Sequence, residues 1–338
     1  MPKYWMISDR SVDRPNRTFG PDRGTVTYWT SDGGPLDDYG SWGEVSDIAF
    51  RTLLLAAVAT FPVVPDPGRH QEQKHVALVV HGFNNKWTDE AKLYQKLSDA
   101  LFTGADSMGL AVWFDWPSQG TALGYLPDRD DARECAPDLA DILGEFYDWL
   151  LVKEKSAAAA PDDPTQACQA KTSIIAHSMG NYLLQKAMYQ LWVRKHQPLL
   201  VSLVNQLLMV AADVDNDLFK SGDATHNTDG DGVANLTYRI TALYSGLDAV
   251  LGVSAGLKHF GKRRLGRSGL DRTCPVPDNV WDVDCTPLLP GGAAFKNVWD
   301  VHSIYFSDPN ILALMRQVLA GVDRGVLVAR KVAPDPDA

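Results

Sequence analysis

Cysteine is scarce in this chain of 338 residues: Cys135, Cys168, Cys274 and Cys285 are all there is. Four are too few for a disulfide scaffold, and their spacing matches no zinc pattern. Reduced thiols are the default expectation; a Cys274–Cys285 bridge is the alternative in an oxidising compartment. No run of about 18 apolar residues exists, so no membrane-spanning helix is expected. The apolar start, Met1 to Met6, is too short for a signal peptide, and Asp9 and Arg10 follow it. A cytoplasmic location is the resulting expectation. Positive charge is also in deficit, 32 Lys and Arg against 42 Asp and Glu, for a net charge of −10. That balance argues against nucleic acid as a partner and favours solubility.

What is present is apolar residue in quantity, 45% of the chain, enough for a large core. Short continuous apolar runs at Val76–Val80, Ala111–Phe114, Leu207–Ala212 and Tyr238–Tyr244 read as buried strands. Val280–Val283 is a further short strand. Between them lie helix-like stretches: one capped by Thr88, a long one from Asp128 to about Lys153, another from Asn181 to about Trp192, and Ala249–Phe260. Strand–helix alternation of this kind specifies an α/β fold, with a mostly parallel central sheet and helices on both faces. Residues 1–74 read as an N-terminal extension packed on the core, with strand pieces at Tyr4–Ser8 and Thr25–Thr30 and a helix at Ile48–Phe61. Residues 75–331 form one catalytic domain, and 332–338 a disordered tail.

The run Ala176-His177-Ser178-Met179-Gly180-Asn181 joins a β-branched strand to a helix. Small residues at 176 and 180 permit a sharp turn that presents the Ser178 hydroxyl, although Ala176 stands where G-x-S-x-G has glycine. Sites in open parallel sheets form beyond the carboxyl ends of strands. Asp248 follows the second strand after the elbow strand, and His302 lies beyond the last. The order Ser…Asp…His is that of the α/β-hydrolase fold. In this reading Ser178 is the nucleophile, His302 its base, and Asp248 the acid that orients His302. Asp213, after the preceding strand, is the alternative acid; a helix N-cap is the competing role for Asp248. His226 and His259 are rivals of His302 that chain order disfavours. His177 reads as a packing residue. The amides of Phe83 and Met179 are the expected oxyanion-hole donors. His81 is expected to brace the loop that carries Phe83. Asn84 and Asn85 either brace it too or touch substrate.

Asn227 to Gly232 resembles the start of a calcium loop, but position twelve holds Tyr238 in place of Glu, so a solvated turn is the better reading. The basic run Lys262–Arg267 reads as a solvated turn balancing local acid, with attraction of an anionic substrate as the alternative.

Several words in the chain resemble those of a bacterial α/β-hydrolase family of esterase/lipase-like proteins of unknown function. They are H-G-F-N-N at His81–Asn85, D-W-P-S at Asp115–Ser118, A-H-S-M-G-N at Ala176–Asn181, A-D-V-D at Ala212–Asp215, Y-S-x-x-D at Tyr244–Asp248 and R-L-G at Arg264–Gly266. Ser8-Asp9-Arg10 and His302 add to the match. The resemblance covers about residues 75–310 and implies a serine hydrolase without specifying a substrate. The expectation is an esterase acting on small-molecule esters of short or medium acyl chain through an acyl-enzyme, with no metal and no cofactor. Amide, thioester or lactone cleavage by the same triad is the alternative within that chemistry, and a non-catalytic receptor of the same fold the alternative outside it. Trp29 and Trp42 are candidates for an aromatic rim.

Overall fold

Buried apolar runs set the strands. The computed structural model describes residues 1–64, 66–83, 86–118, 125–160, 170–194, 202–220, 228–258, 261–273, 275–290 and 298–335. Two units divide the chain, Met1–Ile174 and Ile175–Ala338.

In the first unit, β1 (Tyr4–Asp13) and β2 (Thr18–Ser31) form an antiparallel hairpin, and β3 (Gly43–Val45) pairs antiparallel with β2. Ser46 caps α1 (Asp47–Val58) by accepting from the Ala49 amide. The apolar run Val76–Val80 lies in β4 (Lys74–Val80), after which comes α2 (Trp87–Leu101). Thr88, expected as the cap of α2, sits inside its first turn; Lys86 holds the cap position and makes no side-chain cap bond. Strand β5 (Gly109–Asp115) pairs parallel with both β4 and β1, giving the order β3-β2-β1-β5-β4. The N-terminal segment is therefore part of the sheet itself. Helix α3 spans Tyr125–Ala159, longer at both ends than the sequence suggests. Trp29 and Trp42 form no rim, because both are buried in this unit, with their indole N–H groups donating to Thr27 Oγ1 and the Leu36 carbonyl.

Strand β6 (Ala170–His177) leads into the second unit, whose α4 (Gly180–Arg194) follows at once. There β7 (Val204–Val210), β8 (Thr237–Tyr244) and β9 (Val280–Asp284) pair in parallel. Between β7 and β8 lies α5 (Thr228–Leu236), where the composition suggested a solvated turn. Its glycines serve close approach: a Cβ on Gly232 would stand 2.7 Å from Tyr189 Cα in α4. Asp229 is bound by Lys186, leaving it no loop role. The expected long helix after β8 is the short α6 (Ala249–Val253), continued by a π-helical turn, Ser254–Lys258. Then come α7 (Leu265–Ser268), α8 (Val298–Ser303), α9 (Pro309–Leu319) and α10 (Arg324–Ala329). The Val332 and Ala333 amides donate to the Leu327 carbonyl and Ala333 is buried, so ordered chain runs past the point where a tail was expected. Cys135 and Cys285 are free and buried; Cys168 and Cys274 lie outside the described residues. Among the described residues no helix is long and apolar enough to cross a membrane.

The Ser8-Asp9-Arg10 and Asp115–Ser118 words meet in the first unit. Ser8 Oγ donates to Asp115 Oδ2 at 2.7 Å, and Arg10 Nε to Asp115 Oδ1 at 2.8 Å, all three side chains being buried. Burial works to raise the Asp115 carboxyl, but Arg10 and His81 outweigh it and hold it low. The Trp116 indole donates to the His81 carbonyl at 2.9 Å, and the two rings stack at 5.3 Å. His81 thus anchors the end of β4 just before Phe83.

Asp9 is different. It is fully buried, and neither carboxylate oxygen has a hydrogen-bond partner among the described residues; the nearest cation, Arg23 Nε, is 3.6 Å away. Burial, aided by Asp138, pushes its carboxyl up to about 7 against the pull of Cys135 and Arg23. An ordinary Asp titrates near about 4 when unfolded. The folded state therefore holds an extra proton between these values, and Asp9 costs stability as pH rises from about 4 through 7. Asp9→Asn is expected to match the wild type near pH 4 and to exceed it at pH 8 by at least about 1 kcal/mol in urea unfolding. A difference between the two proteins that stays constant from pH 4 to 8 would contradict this.

Candidate functional site

The strand β6 ends at His177, and α4 begins at Gly180, so the chain must reverse within Ser178 and Met179. Ser178 takes φ +50°, in the left-handed region that costs a residue with a Cβ about 1–2 kcal/mol. Backbone hydrogen bonds hold it there. The Ser178 amide donates to the Val210 carbonyl at 3.0 Å, and the Ser178 carbonyl accepts from the amides of Asp213 and Asn181, each at 3.1 Å. The buried Asn181 amide group donates to the Ala176 carbonyl at 2.8 Å and the Ser178 carbonyl at 3.2 Å. The residue that closes the A-H-S-M-G-N word therefore braces the turn, a role the sequence reading did not give it.

Three side chains of the second unit converge. His302 Nε2 lies 2.8 Å from Ser178 Oγ, and His302 Nδ1 lies 2.7 Å from Asp248 Oδ2. All three are at most 4% exposed. Asp248 has two tasks, since its Oδ1 accepts from the Leu251 amide at 3.0 Å as the N-cap of α6. The cap bond and the histidine contact use different oxygens, so Asp248 makes both at once. Arg267 donates to the Asp248 carbonyl and fixes its backbone. With Nδ1–H donating to a carboxylate, Nε2 carries the lone pair and accepts from the Ser178 hydroxyl.

His177 is more than packing. Its Nε2 lies 2.9 Å from the His302 carbonyl and its ring 4.9 Å from the His302 ring. Because a carbonyl only accepts, that nitrogen carries a proton. Phe306 stands edge-on to the other side of the His177 ring at 5.1 Å. The end of β6, at His177, is thereby tied to the helix that carries His302.

Asp213 is committed elsewhere. Its Oδ1 accepts from Arg264 Nε at 2.7 Å and from Ser254 Oγ at 3.0 Å, and its carbonyl accepts from Arg264. Arg264 is fully buried and also bonds Asp215, while Lys262 pairs with Asp215 at 2.7 Å and Asp217 at 3.3 Å. The basic run is thus in part the core of an ion-pair network, not wholly a solvated turn. A Cβ on Gly266 would lie 2.1 Å from the Ala211 backbone, which explains the glycine of R-L-G.

Of the expected oxyanion donors, Met179 stands directly before α4, where the first amides of a helix have no carbonyl within it. Phe83 belongs to the first unit, buried, with its ring edge-on to Tyr125 at 5.2 Å. Asn84, Asn85, His226 and His259 lie outside the described residues.

Three comparisons bear on this chain. A family model described as "Alpha/beta hydrolase of unknown function (DUF900)" matches residues 66–154 and 162–274. An uncharacterised protein, alr1448, of Nostoc sp. (strain PCC 7120 / SAG 25.82 / UTEX 2576) is 27% identical over 146 residues, 37% of this chain and 34% of its own length. The chain thus matches about a third of that relative. Among solved structures, Aspergillus fumigatus lipase B is 15% identical with a TM-score of 0.41, covering 86% of this chain and 62% of its own. A Pyrobaculum calidifontis esterase is 11% identical at a TM-score of 0.31, covering 78% and 90%. A thermostable esterase from Pseudomonas putida ECU1011 is 12% identical at a TM-score of 0.33, covering 86% of this chain and 91% of its own. TM-scores this low carry nothing about substrate.

The ion-pair network makes a testable distinction. Removing one partner of a buried pair strands the other charge, so Asp213→Asn is expected to cost about 3 kcal/mol in denaturant unfolding. Asp248→Asn keeps an oxygen for the Leu251 amide and is expected to cost less than about 1 kcal/mol. Equal losses would refute the division of roles.

Proposed function

We propose that this chain, which belongs to the alpha/beta hydrolase family of unknown function (DUF900), cleaves carboxylic esters as a serine hydrolase. The observation that carries the reading is His302 at 2.8 Å from the Ser178 hydroxyl and 2.7 Å from Asp248. His302 Nε2 takes the hydroxyl proton as Ser178 Oγ attacks the ester carbonyl. Asp248 keeps the imidazole in the required tautomer and stabilises the imidazolium without taking its proton. The oxyanion forms facing the Met179 amide at the start of α4, whose dipole favours negative charge. Collapse expels the alcohol, which receives the proton from His302. Water then attacks the acyl-enzyme with His302 again as base, and the acid is released. Each step balances without a cofactor.

A short or medium acyl chain suits the site best. The β7-to-β8 connection, where a cap domain would enter, spans 211–236, and its one helix among the described residues is the nine-residue α5. That leaves little apolar surface for an interfacial lid.

Hydrolysis of p-nitrophenyl butyrate tests the reading. Ser178→Ala is expected to lower kcat at least about 10⁴-fold in a folded protein, and Asp248→Asn on the order of 10⁴-fold. His177→Leu is expected to lower kcat about tenfold or more with KM unchanged, and His177→Gln, which restores a donor for the His302 carbonyl, to recover it. The butyrate ester should exceed the palmitate ester in kcat/KM. Wild-type turnover by Ser178→Ala would end the proposal; turnover of an anilide or thioester in place of the ester would move it to that substrate class.

A further inference from the structure

The first unit contains a cavity of about 150 Å³ that no step above uses. Leu54 and Val58 of α1, Phe146 and Trp149 of α3, Val76 of β4 and Ala170 of β6 line it. Of its polar residues, Tyr28, Arg51 and Glu145 stand together, and Thr172 is the other. Arg51 is held there: its Nη2 bonds Glu145 Oε2 at 2.7 Å, and its Nε bonds Asp47. The pair Arg51–Glu145 ties α1 to α3 across the opening. Leu55, also in the lining, is 44% exposed, so apolar surface continues outward from the cavity.

Packed interiors rarely leave such a space. Atoms along its wall lack dispersion partners, a loss that grows with the empty volume. Water is a poor occupant, because it needs two to four polar partners and the floor offers apolar side chains. Charge narrows the choice of ligand. The single guanidinium of the lining already faces two carboxylates, Asp47 and Glu145, so an anionic head group would meet a corner with excess negative charge. Size narrows it further. A dry cavity of about 150 Å³ lined by Leu, Ile and Phe takes one benzene-sized molecule.

We propose that this cavity is an auxiliary binding site for a small uncharged apolar ligand, a single aromatic ring or a short alkyl chain with at most a neutral polar end. The aromatic side chains of Phe146 and Trp149 in the lining suit either. Nothing in the proposal depends on Ser178, and its test does not use turnover.

Toluene, 1-hexanol and hexanoate are titrated into the full chain, with calorimetry and thermal unfolding as readouts. Toluene and 1-hexanol are expected to bind one to one with Kd on the order of 1 mM or tighter and to raise Tm as their concentration passes Kd. Hexanoate should bind at least about tenfold more weakly. Ala170→Leu and Val58→Phe each fill part of the space; in whichever stays folded by circular dichroism, both neutral ligands should bind at least about tenfold more weakly. Absence of saturable binding up to the solubility limit, unchanged binding in a folded filling variant, or a preference for hexanoate would each overturn the proposal.

Discussion

The second unit depends on one costly backbone conformation, the left-handed turn at Ser178. A serine pays about 1–2 kcal/mol for such a φ, and the turn persists because its neighbours leave it no alternative. The β7 carbonyl of Val210 takes the Ser178 amide, and the Ser178 carbonyl receives the Asp213 and Asn181 amides. One segment distant in sequence, Val210 to Asp213, and the first residues of α4 thus meet on one residue. The same turn lifts Oγ away from the strand toward His302 and puts the Met179 amide at the head of the helix. Ala211, the residue after β7, is also left-handed at φ +44°, and its backbone is covered by Gly266. The elbow is thus supported by a second strained turn.

Charge is partitioned around this turn with little overlap. Asp248 gives one oxygen to a helix amide and the other to His302, so its geometry is set before any substrate arrives. Asp213, two peptide bonds past Ala211, gives its carboxylate to buried Arg264. Neither acid can take the other's role without abandoning a buried partner, and abandoning one costs several kcal/mol. His177 closes the arrangement by holding the His302 carbonyl at 2.9 Å. Much of the family-like vocabulary of the chain, Asn181, Asp213, Arg264 and Gly266 included, builds the frame around the Ser178 hydroxyl.

The strands were legible because buried parallel strands read as unbroken apolar runs, as Val76–Val80 and Leu207–Val210 do. The order Ser178, Asp248, His302 was legible because such sheets gather residues beyond their strand ends. What separates Asp213 from Asp248 was less legible, since both follow strands; the contact of His302 with Asp248 and of buried Arg264 with Asp213 distinguishes them. The four basic residues of Lys262–Arg267 look like solvated surface, and nothing in spacing says that Arg264 is fully buried. Helix α5 was misread because glycine and aspartate signal turns, whereas here Gly232 lets α5 lie against Tyr189. Trp29 and Trp42 carry no sign of burial in sequence, and long-range packing alone put them inside. Asp9 shows the limit from the other side: a carboxylate in a polar-looking stretch is buried with no hydrogen bond among the described residues.

The central claim is that the turn and His302 together make Ser178 an activated nucleophile. Labelling of the folded protein with a fluorophosphonate probe, followed by peptide mapping, measures this directly. The account expects one adduct, on Ser178, formed rapidly in the wild type and at least about a hundredfold more slowly in His302→Ala. A folded wild-type protein that stays unlabelled, or labelling at another serine, would contradict it.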